Sequence, residues 1–378
     1  MLIRSLIAAV LALAAGAAIA AAPEPLPAAP AIDAKGYLLI DEASGQTLAE
    51  LNSNQRLEPA SITKLMSAYV VFHALKDGRL KLTDTAPISE HAWRQEGSRT
   101  YLVLGSNVTI DVLLHGMIIQ SGNDATVALA EKVGGTEPAF VEMMNAHAKR
   151  LGMTGTHYDN SPGLPSPTHY TTARDILILA RAIIEEFPDR YALYSERSFT
   201  WNKISQPNRN GLLGRDNSVD GMKTGHTDSA GYCLVASAKR QGTRLLSVVL
   251  GSRSERSRED ASAALLNYGF TFFETVSIKK AHQLVLKPRV YKSAEEYVGI
   301  GPATDVKVTV RRGQAGSITT TATVTDRLIA PLAATGAVGE LQVATGTGTQ
   351  RVPLYPLAAV AEAGWWTRMV DTVLLWFK

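Results

Sequence analysis

Hydrophobic and polar positions repeat with two different periods along this chain, and the change of period divides it into regions. Three segments have apolar residues at every third or fourth position, which predicts helices with one buried face: residues 111–133, 137–151 and 172–186. A period of two begins near Gly221, and it predicts residues 232–238 and 245–250 as adjacent antiparallel strands. Helical spacing returns over residues 258–274. The pattern therefore predicts an α+β fold, in which a helical cluster packs on an antiparallel sheet.

The sequence pattern changes again beyond residue 285, where short segments of alternating apolar and polar residues are separated by Gly and Pro. This pattern predicts a small all-β domain over residues 285–359, more consistent with a sandwich than with a barrel. Residues 360–378 form a third element, an amphipathic helix that is too short to span a bilayer. Its predicted apolar face consists of Trp365, Trp366, Met369, Val370, Val373, Leu374 and Phe377. We expect this helix to lie in a membrane interface; docking on the protein itself is the alternative.

The first 22 residues have the pattern of a secretory signal peptide. Arg4 precedes an apolar stretch from Leu6 to Ile19, and small residues that offer cleavage sites follow. A retained transmembrane helix is the alternative, although the apolar stretch is short for a span. We therefore expect an exported protein at the periplasmic face of the inner membrane.

The composition excludes several other classes of function. The chain has 378 residues, of which 46% are hydrophobic and 19% charged, as is usual for a globular protein. A net charge of +3 is too small to indicate nucleic-acid binding. The histidines show no metal-ligand spacing, so we expect no metal and no other cofactor. The sole cysteine, Cys233, has apolar neighbours and is predicted to be a buried core residue.

Three short motifs carry the candidate chemistry. The first, Ser61-Ile62-Thr63-Lys64, places a hydroxyl and an amine on the same face at the start of an apolar helix. A desolvated lysine can serve as the base that a nucleophilic serine needs. The same spacing at Ser277 lies in a charged stretch that predicts a solvated connector. The other motifs are Ser121-Gly122-Asn123 and Lys223-Thr224-Gly225, and this trio in this order is typical of penicillin-binding proteins and class A β-lactamases.

Within that superfamily the sequence resembles the D-alanyl-D-alanine carboxypeptidases of the penicillin-binding group. The resemblance covers nearly the whole mature chain and rests on the segments 208–213, 223–227, 230–232 and 270–276. It implies a catalytic domain of the serine β-lactamase/DD-peptidase type over residues 32–284. Gly122 departs from the β-lactamase pattern, which usually has Asp there. No Glu-x-x-Leu-Asn segment is present either, so rapid hydrolysis of a penicilloyl ester is not expected.

The resemblance also implies a role for each catalytic residue. Ser61 would attack the carbonyl of the penultimate D-alanine, and Lys64 would accept its proton. Ser121 would relay a proton to the leaving amine, and Asn123 would hold the substrate amide. Lys223 would keep the pocket positive and thereby lower the pKa of the Lys64 amine.

The resemblance also implies which residues bind the substrate. The backbone N–H groups of Ser61 and His226 would form the oxyanion hole, beside Gly225. The free C-terminal carboxylate of the substrate would bind Thr224 and a guanidinium, because arginine contacts carboxylates at two points. Arg209 and Arg258 are the candidates, and the neighbouring Arg256 leaves the register open.

These expectations describe a serine carboxypeptidase that removes the terminal D-alanine from peptidoglycan pentapeptide stems and is inhibited by β-lactam antibiotics. Two alternatives remain open at this point. A DD-endopeptidase that cuts cross-links would use the same residues in a more open cleft. A non-catalytic homologue that only binds the cell wall is a different class, and the intact motifs argue against it.

Overall fold

The computed structural model describes residues 27–346 and 348–376. The predicted signal peptide, residues 1–22, lies outside these described residues. The helices are α1 Lys64–Lys76, α2 Glu90–Trp93, α3 Ile110–His115, α4 Asn123–Gly134, α5 Glu137–Arg150, α6 Ala173–Glu186, α7 Pro188–Tyr191, α8 Leu212–Arg215, α9 Glu255–Phe272 and α10 Trp365–Trp376. The strands of the first part of the chain are β1 Gly36–Asp41, β2 Thr47–Leu51, β3 Thr85–Pro87, β4 Asn107–Thr109, β5 Ser198–Trp201, β6 Ile204–Pro207, β7 Val219–Thr227, β8 Gly231–Arg240 and β9 Thr243–Ser252. The later strands are β10 Phe273–Lys279, β11 Val290–Tyr291, β12 Ile300–Pro302, β13 Val306–Arg311, β14 Thr319–Val324, β15 Leu328–Ile329, β16 Gly339–Thr345 and β17 Gly348–Pro356.

A five-stranded antiparallel sheet forms the centre of the first domain, in the order β2-β1-β9-β8-β7. Successive side chains of a strand point to opposite faces, and both faces of this sheet are buried. Leu38 and Ile40 of β1 pack in the core shared with α1 and the other helices of the helical cluster. Leu39 points the other way, into the core formed with α9. The predicted α+β arrangement is confirmed, and β7 is an edge strand of the sheet.

Helix α1 runs through the middle of the helical cluster. Its residues from Lys64 to Phe72 are all buried, which explains why the apolar residues do not form a single stripe. Helices α4, α5 and α6 pack against it with their apolar faces. The helix therefore carries the Ser-x-x-Lys motif on a rigid, fully packed element.

The helix expected over residues 111–133 is interrupted. Helix α3 ends at His115, the π-helical turn Gly116–Gln120 follows, and α4 begins only at Asn123. The N–H of Ser121 donates to the carbonyl of Gly116, five residues earlier, and Ser121 itself is left-handed with φ 66°. The break places Ser121 at a bend between two helices. The regular spacing of apolar residues in the sequence gives no signal for such a break.

The β domain is built on a four-stranded antiparallel sheet in the order β12-β17-β16-β14, with β10 and β13 as a separate antiparallel pair. Both parts share one core that includes Ile300, Val308 and Val343. Strand β10 begins at Phe273, before residue 285, where the sequence pattern predicted that the β domain starts. Ser277 lies within this strand, where the sequence predicted a connector, because residues 273–279 pair with β13.

The C-terminal helix α10 is attached to the β domain by its polar face. The buried carboxylate of Asp371 accepts a hydrogen bond from the backbone N–H of Lys292, and Arg327 donates to the carbonyl of Leu375. On the opposite face Trp365, Trp366 and Val373 are exposed. Among the described residues, no helix is both long enough and apolar enough to cross a membrane. Phe377, which the sequence assigned to the apolar face, lies outside the described residues.

Candidate active site

Ser61 lies in a tight turn that leads into α1. The turn is the 3-10 helix Ala60–Thr63, and the α-helix itself begins at Lys64, three residues later than Ser61. Ala60 is left-handed with φ 48°, which is strained for a residue with a side chain. Gly163 packs against it so closely that an added Cβ would lie 1.9 Å from the carbonyl oxygen of Ala60. The surrounding chain therefore fixes the position of Ser61.

The amine of Lys64 is held by three acceptors. Its Nζ donates to Ser61 Oγ at 2.8 Å, to Asn123 Oδ1 at 2.7 Å and to the carbonyl oxygen of Pro162 at 2.7 Å. Burial, opposed by the charge of Asp124, lowers the pKa of Lys64 to about 7. The sequence attributed this lowering to the charge of Lys223, but loss of hydration is the dominant cause. An amine with this pKa is partly neutral near pH 7 and can accept the proton of Ser61.

The hydroxyl of Ser121 points into a buried position where it has no hydrogen-bond partner among the described residues. The bend after the π-helical turn brings this residue to the cleft. Gly122 cannot carry a side chain there, because an added Cβ would lie 2.1 Å from Thr100 Oγ1. This contact explains the departure from the β-lactamase Asp. The buried carboxylate of Asp124 accepts from the N–H groups of Thr100 and Leu102 and so fixes the facing loop.

Asn123, which the resemblance assigns to the substrate amide, has two partners within the protein. Its Oδ1 accepts from Lys64 and its Nδ2 donates to the carbonyl of Glu96. Both polar atoms of the side chain are engaged within the protein. Asn123 therefore orients the Lys64 amine in this structure.

The third motif lies on the edge strand β7, next to the Ser61 turn. An added Cβ on Gly225 would lie 2.9 Å from the carbonyl oxygen of Pro59 and 3.1 Å from the backbone nitrogen of Ser61. Only glycine permits this close approach. Strand β7 thus runs directly beside the nucleophile, and the backbone of His226 continues along the same cleft wall.

Lys223 is buried behind the cleft, where its Nζ donates to the carbonyl oxygen of Thr224 at 3.1 Å. Burial lowers its pKa well below the usual value, and the nearby charges of Lys64, Arg258 and Arg209 lower it further. Two guanidinium groups and two buried amines are therefore concentrated around one small space. Such a site attracts an anionic group.

The residues from all three motifs meet at one cleft of about 480 Å³. Its walls include Ser61, Ser121, Thr224, Gly225, His226, Arg209 and Arg258. Of the two neighbouring arginines, Arg258 is the one at the cleft: its side chain is 4% exposed and donates to the carbonyl of Gly225. Arg256 is directed away from the cleft and pairs with Asp260.

Several residues at this cleft were not predicted as site residues from the sequence. Tyr232, the cross-strand partner of His226, stacks on its imidazole at a centroid distance of 3.9 Å. Glu255 pairs with Arg258, and Pro162 supplies a carbonyl to Lys64. The available signals were the i, i+3 spacing of Glu255 and Arg258 and the place of Tyr232 in the segment 230–232. Within the described ranges no group of three or more metal-ligating side chains occurs.

A serine, a buried lysine and a cationic edge-strand wall around one cleft define a serine acyl-transfer enzyme of the penicillin-binding type. Comparison with known sequences identifies two matches, a D-alanyl-D-alanine carboxypeptidase family over residues 23–254 and the C-terminal domain of penicillin-binding protein 5 over residues 273–362. The chain belongs to the D-alanyl-D-alanine carboxypeptidase family.

Individual relatives agree over most of the chain. The D-alanyl-D-alanine carboxypeptidase DacC of Escherichia coli (strain K12) is 42% identical over 358 residues, which cover 92% of this chain and 90% of that protein. The structure of penicillin binding protein 5 from Haemophilus influenzae is similar with a TM-score of 0.85 and 41% identity, and the match covers 89% of this chain and 99% of that one. Penicillin-Binding Protein D2 from Listeria monocytogenes, solved in an ampicillin-bound form, matches 64% of this chain and 98% of its own with a TM-score of 0.59 and 28% identity. The chain is accordingly a serine-type D-Ala-D-Ala carboxypeptidase, as its motifs predicted.

Proposed function

We propose that this enzyme removes the terminal D-alanine of peptidoglycan stem peptides through an acyl-enzyme on Ser61. The observation that carries this proposal is the 2.8 Å contact between Ser61 Oγ and the Nζ of Lys64, a buried amine with a pKa of about 7. Neutral Lys64 takes the proton of Ser61 as Oγ attacks the penultimate carbonyl carbon. The N–H groups of Ser61 and His226 then stabilise the oxyanion.

Collapse of the tetrahedral intermediate requires a proton on the leaving nitrogen. The Ser121 hydroxyl has no hydrogen-bond partner in the described part of the chain and can pass a proton from the Lys64 ammonium to the amine of the departing D-alanine. The peptide bond breaks, and the peptide remains as an ester on Ser61. A water molecule, deprotonated by the same neutral lysine, hydrolyses this ester and restores the serine.

Recognition of the free carboxylate restricts the enzyme to the end of a peptide. Thr224 and Arg258 line the cleft beyond the nucleophile, and Arg209 adds a second guanidinium at its exposed rim. Strand β7 is the edge of the sheet, so an extended substrate can pair with its free backbone groups. The buried amine of Lys223 holds the carbonyl of Thr224 beside this site.

β-Lactam antibiotics should acylate the same serine. A relative from Listeria monocytogenes is known in an ampicillin-bound form, and a β-lactam offers the strained amide and carboxylate that this cleft accommodates. No carboxylate among the described residues is hydrogen-bonded to Ser61 or Lys64. We therefore expect a long-lived penicilloyl ester.

The direct test is Ser61→Ala, which should abolish both D-alanine release and labelling by a fluorescent penicillin. Circular dichroism and thermal melting should stay close to the wild type, because loss of one partly buried hydroxyl costs about 1 kcal/mol. The matched control is Ser277→Ala, which removes the serine of the second Ser-x-x-Lys from an exposed position on β10. Labelling that persisted in Ser61→Ala would overturn the assignment.

We further propose that the enzyme is exported and works at the periplasmic face of the inner membrane, held there by α10. Support comes from the exposed tryptophans and aliphatic residues of this helix, and from the polar contacts of Asp371 that fix its other face. The predicted signal peptide agrees with this location. The apolar face would rest in the interfacial region of the bilayer, where Trp side chains are favoured.

Fractionation of cells tests the membrane proposal. Trp366→Glu or Val373→Asp should move the protein from the membrane pellet to the soluble fraction while activity on soluble peptides stays unchanged. Thr367→Glu is the matched control, because it adds the same charge on the face of α10 predicted to be polar. A Trp366→Glu protein that still pelleted with membranes would indicate that another segment provides the attachment.

A further inference from the structure

Arg258, the buried guanidinium of the cleft, is already paired with a carboxylate of the protein. Its Nη2 donates to Glu255 Oε1 at 2.8 Å, and its Nη1 donates to the carbonyl oxygen of Gly225 at 3.3 Å. Its Nε is buried and has no hydrogen-bond partner among the described residues. The guanidinium therefore has one carboxylate contact and an unused donor beside it.

Glu255 lies at the mouth of the same cleft. It is the first residue of α9, after the N-cap Ser254, whose hydroxyl accepts from the N–H of Ser257. A carboxylate in the first turn of a helix is favoured by the helix dipole. The side chain of Glu255 is 61% exposed, whereas that of Arg258 is 4% exposed. The pair thus joins a fixed, buried cation to an anion that solvent can reach.

We propose that Glu255 is a resident counter-ion of Arg258, which the terminal carboxylate of the substrate must displace from the guanidinium. This inference rests on the proposed function, in which Arg258 recognises that carboxylate. The exposure of Glu255 to solvent weakens this ion pair, so the carboxylate of a substrate held along the cleft can replace it. Glu255 thereby sets the affinity for substrates with a free C-terminus and disfavours carboxylates that make no further contacts.

Arg209 differs from Arg258 in this respect. Within the part of the chain that the structure describes, no carboxylate lies within ion-pair distance of Arg209. Its charge attracts the substrate at the rim without a prior exchange. The two arginines have different roles. Arg209 attracts the substrate carboxylate at long range, and Arg258 binds it at two points once Glu255 has been displaced.

The test compares steady-state kinetics of the wild type and Glu255→Gln. The probe is an acylated tripeptide that ends in D-Ala-D-Ala, assayed with its C-terminal amide as a second substrate. Glutamine keeps the size of the side chain and removes its charge. We expect KM for the free acid to fall roughly two- to fivefold, the range of an ion pair with a solvent-exposed partner, with kcat unchanged. KM for the amide should not change.

Two variants separate this role from a structural one. Asp260→Asn is the matched control, because Asp260 lies on the same helix and pairs with Arg215 and Arg256 outside the cleft. It should leave KM unchanged. In an Arg258→Ala background, Glu255→Gln should no longer lower KM, because the cation for which both carboxylates compete is absent.

The outcomes are distinguishable. An unchanged or raised KM for the free acid in Glu255→Gln overturns the counter-ion role, and a raised value would mean that Glu255 only positions Arg258. A lowered KM that persists in the Arg258→Ala background overturns it as well. Equal cleavage of the free acid and the amide by the wild type would instead refute carboxylate recognition itself, and with it the proposed function.

Discussion

Replacing Gly225 by alanine tests the oxyanion hole without altering any side chain that contacts the reacting atoms. The new Cβ would lie 2.9 Å from the carbonyl oxygen of Pro59 and 3.1 Å from the backbone nitrogens of Ser61 and Ile62. Nonbonded heavy atoms of this kind prefer separations of about 3.5 Å. Strand β7 and the Ser61 turn must therefore move apart by roughly half an ångström.

This displacement acts on the spacing between the N–H groups of Ser61 and His226. Oxyanion donors work at about 2.7–3.1 Å, and the loss of one donor costs about 2.7–4 kcal/mol, or a factor of roughly 10² to 10³ in kcat. We expect kcat of Gly225→Ala to fall by about 100-fold. KM should change far less, because the oxyanion exists only during the reaction.

The assay is release of D-alanine under steady-state conditions, together with the rate of labelling by a fluorescent penicillin. Gly214→Ala is the matched control, because an added Cβ at that position meets no atom within 4 Å. Thermal melting of both variants establishes that they are folded. A folded Gly225→Ala enzyme with wild-type kcat would refute the reasoning, since the crowded strand would then have no catalytic consequence.

Three further predictions concern the same region. Burial lowers the pKa of Lys64 to about 7, so the amine becomes neutral as pH rises through that value. We therefore expect kcat/KM to rise across this pH range. A kcat/KM that did not change with pH near neutrality would contradict the role of Lys64 as the base. Gly163→Ala should lower the free energy of unfolding by about 3 kcal/mol, since φ is +89° and its Cβ would overlap the carbonyl of Ala60; an unchanged urea midpoint would disprove this. Gly122→Asp should destabilise the fold through Thr100 without giving β-lactam turnover, and rapid ampicillin hydrolysis by this variant would show that Gly122 limits deacylation.

Local signals made the main elements and the three motifs predictable. The Ser61 motif precedes a strongly apolar segment, and two residues on one helical turn share a face wherever the helix packs. The spacing alone therefore anticipated the contact between Ser61 and Lys64. The change of period near Gly221 predicted strands in the region of Lys223, and its role was what the family resemblance implied.

Contacts between distant segments were not predictable from local patterns. Pro162 reaches Lys64 with a backbone carbonyl, a group that every residue carries and that no sequence pattern marks. The family resemblance assigned Asn123 to the substrate amide, and nothing in the sequence indicated that its side chain would also contact Lys64 and Glu96. The choice between Arg256 and Arg258 required the helix orientation, since these positions lie about 200° apart on α9.

The π-helical turn Gly116–Gln120 makes the catalytic position of Ser121 depend on the number of residues that precede it. Removal of one residue from the turn would restore ordinary α-helical hydrogen bonds, rotating the following residue by about 100° and shifting it by about 1.5 Å. Ser121 would then leave the cleft although every side chain of the motif was still present. A length change in this turn would therefore remove the proton relay proposed for Ser121, and an alignment of the motifs alone would not reveal the loss.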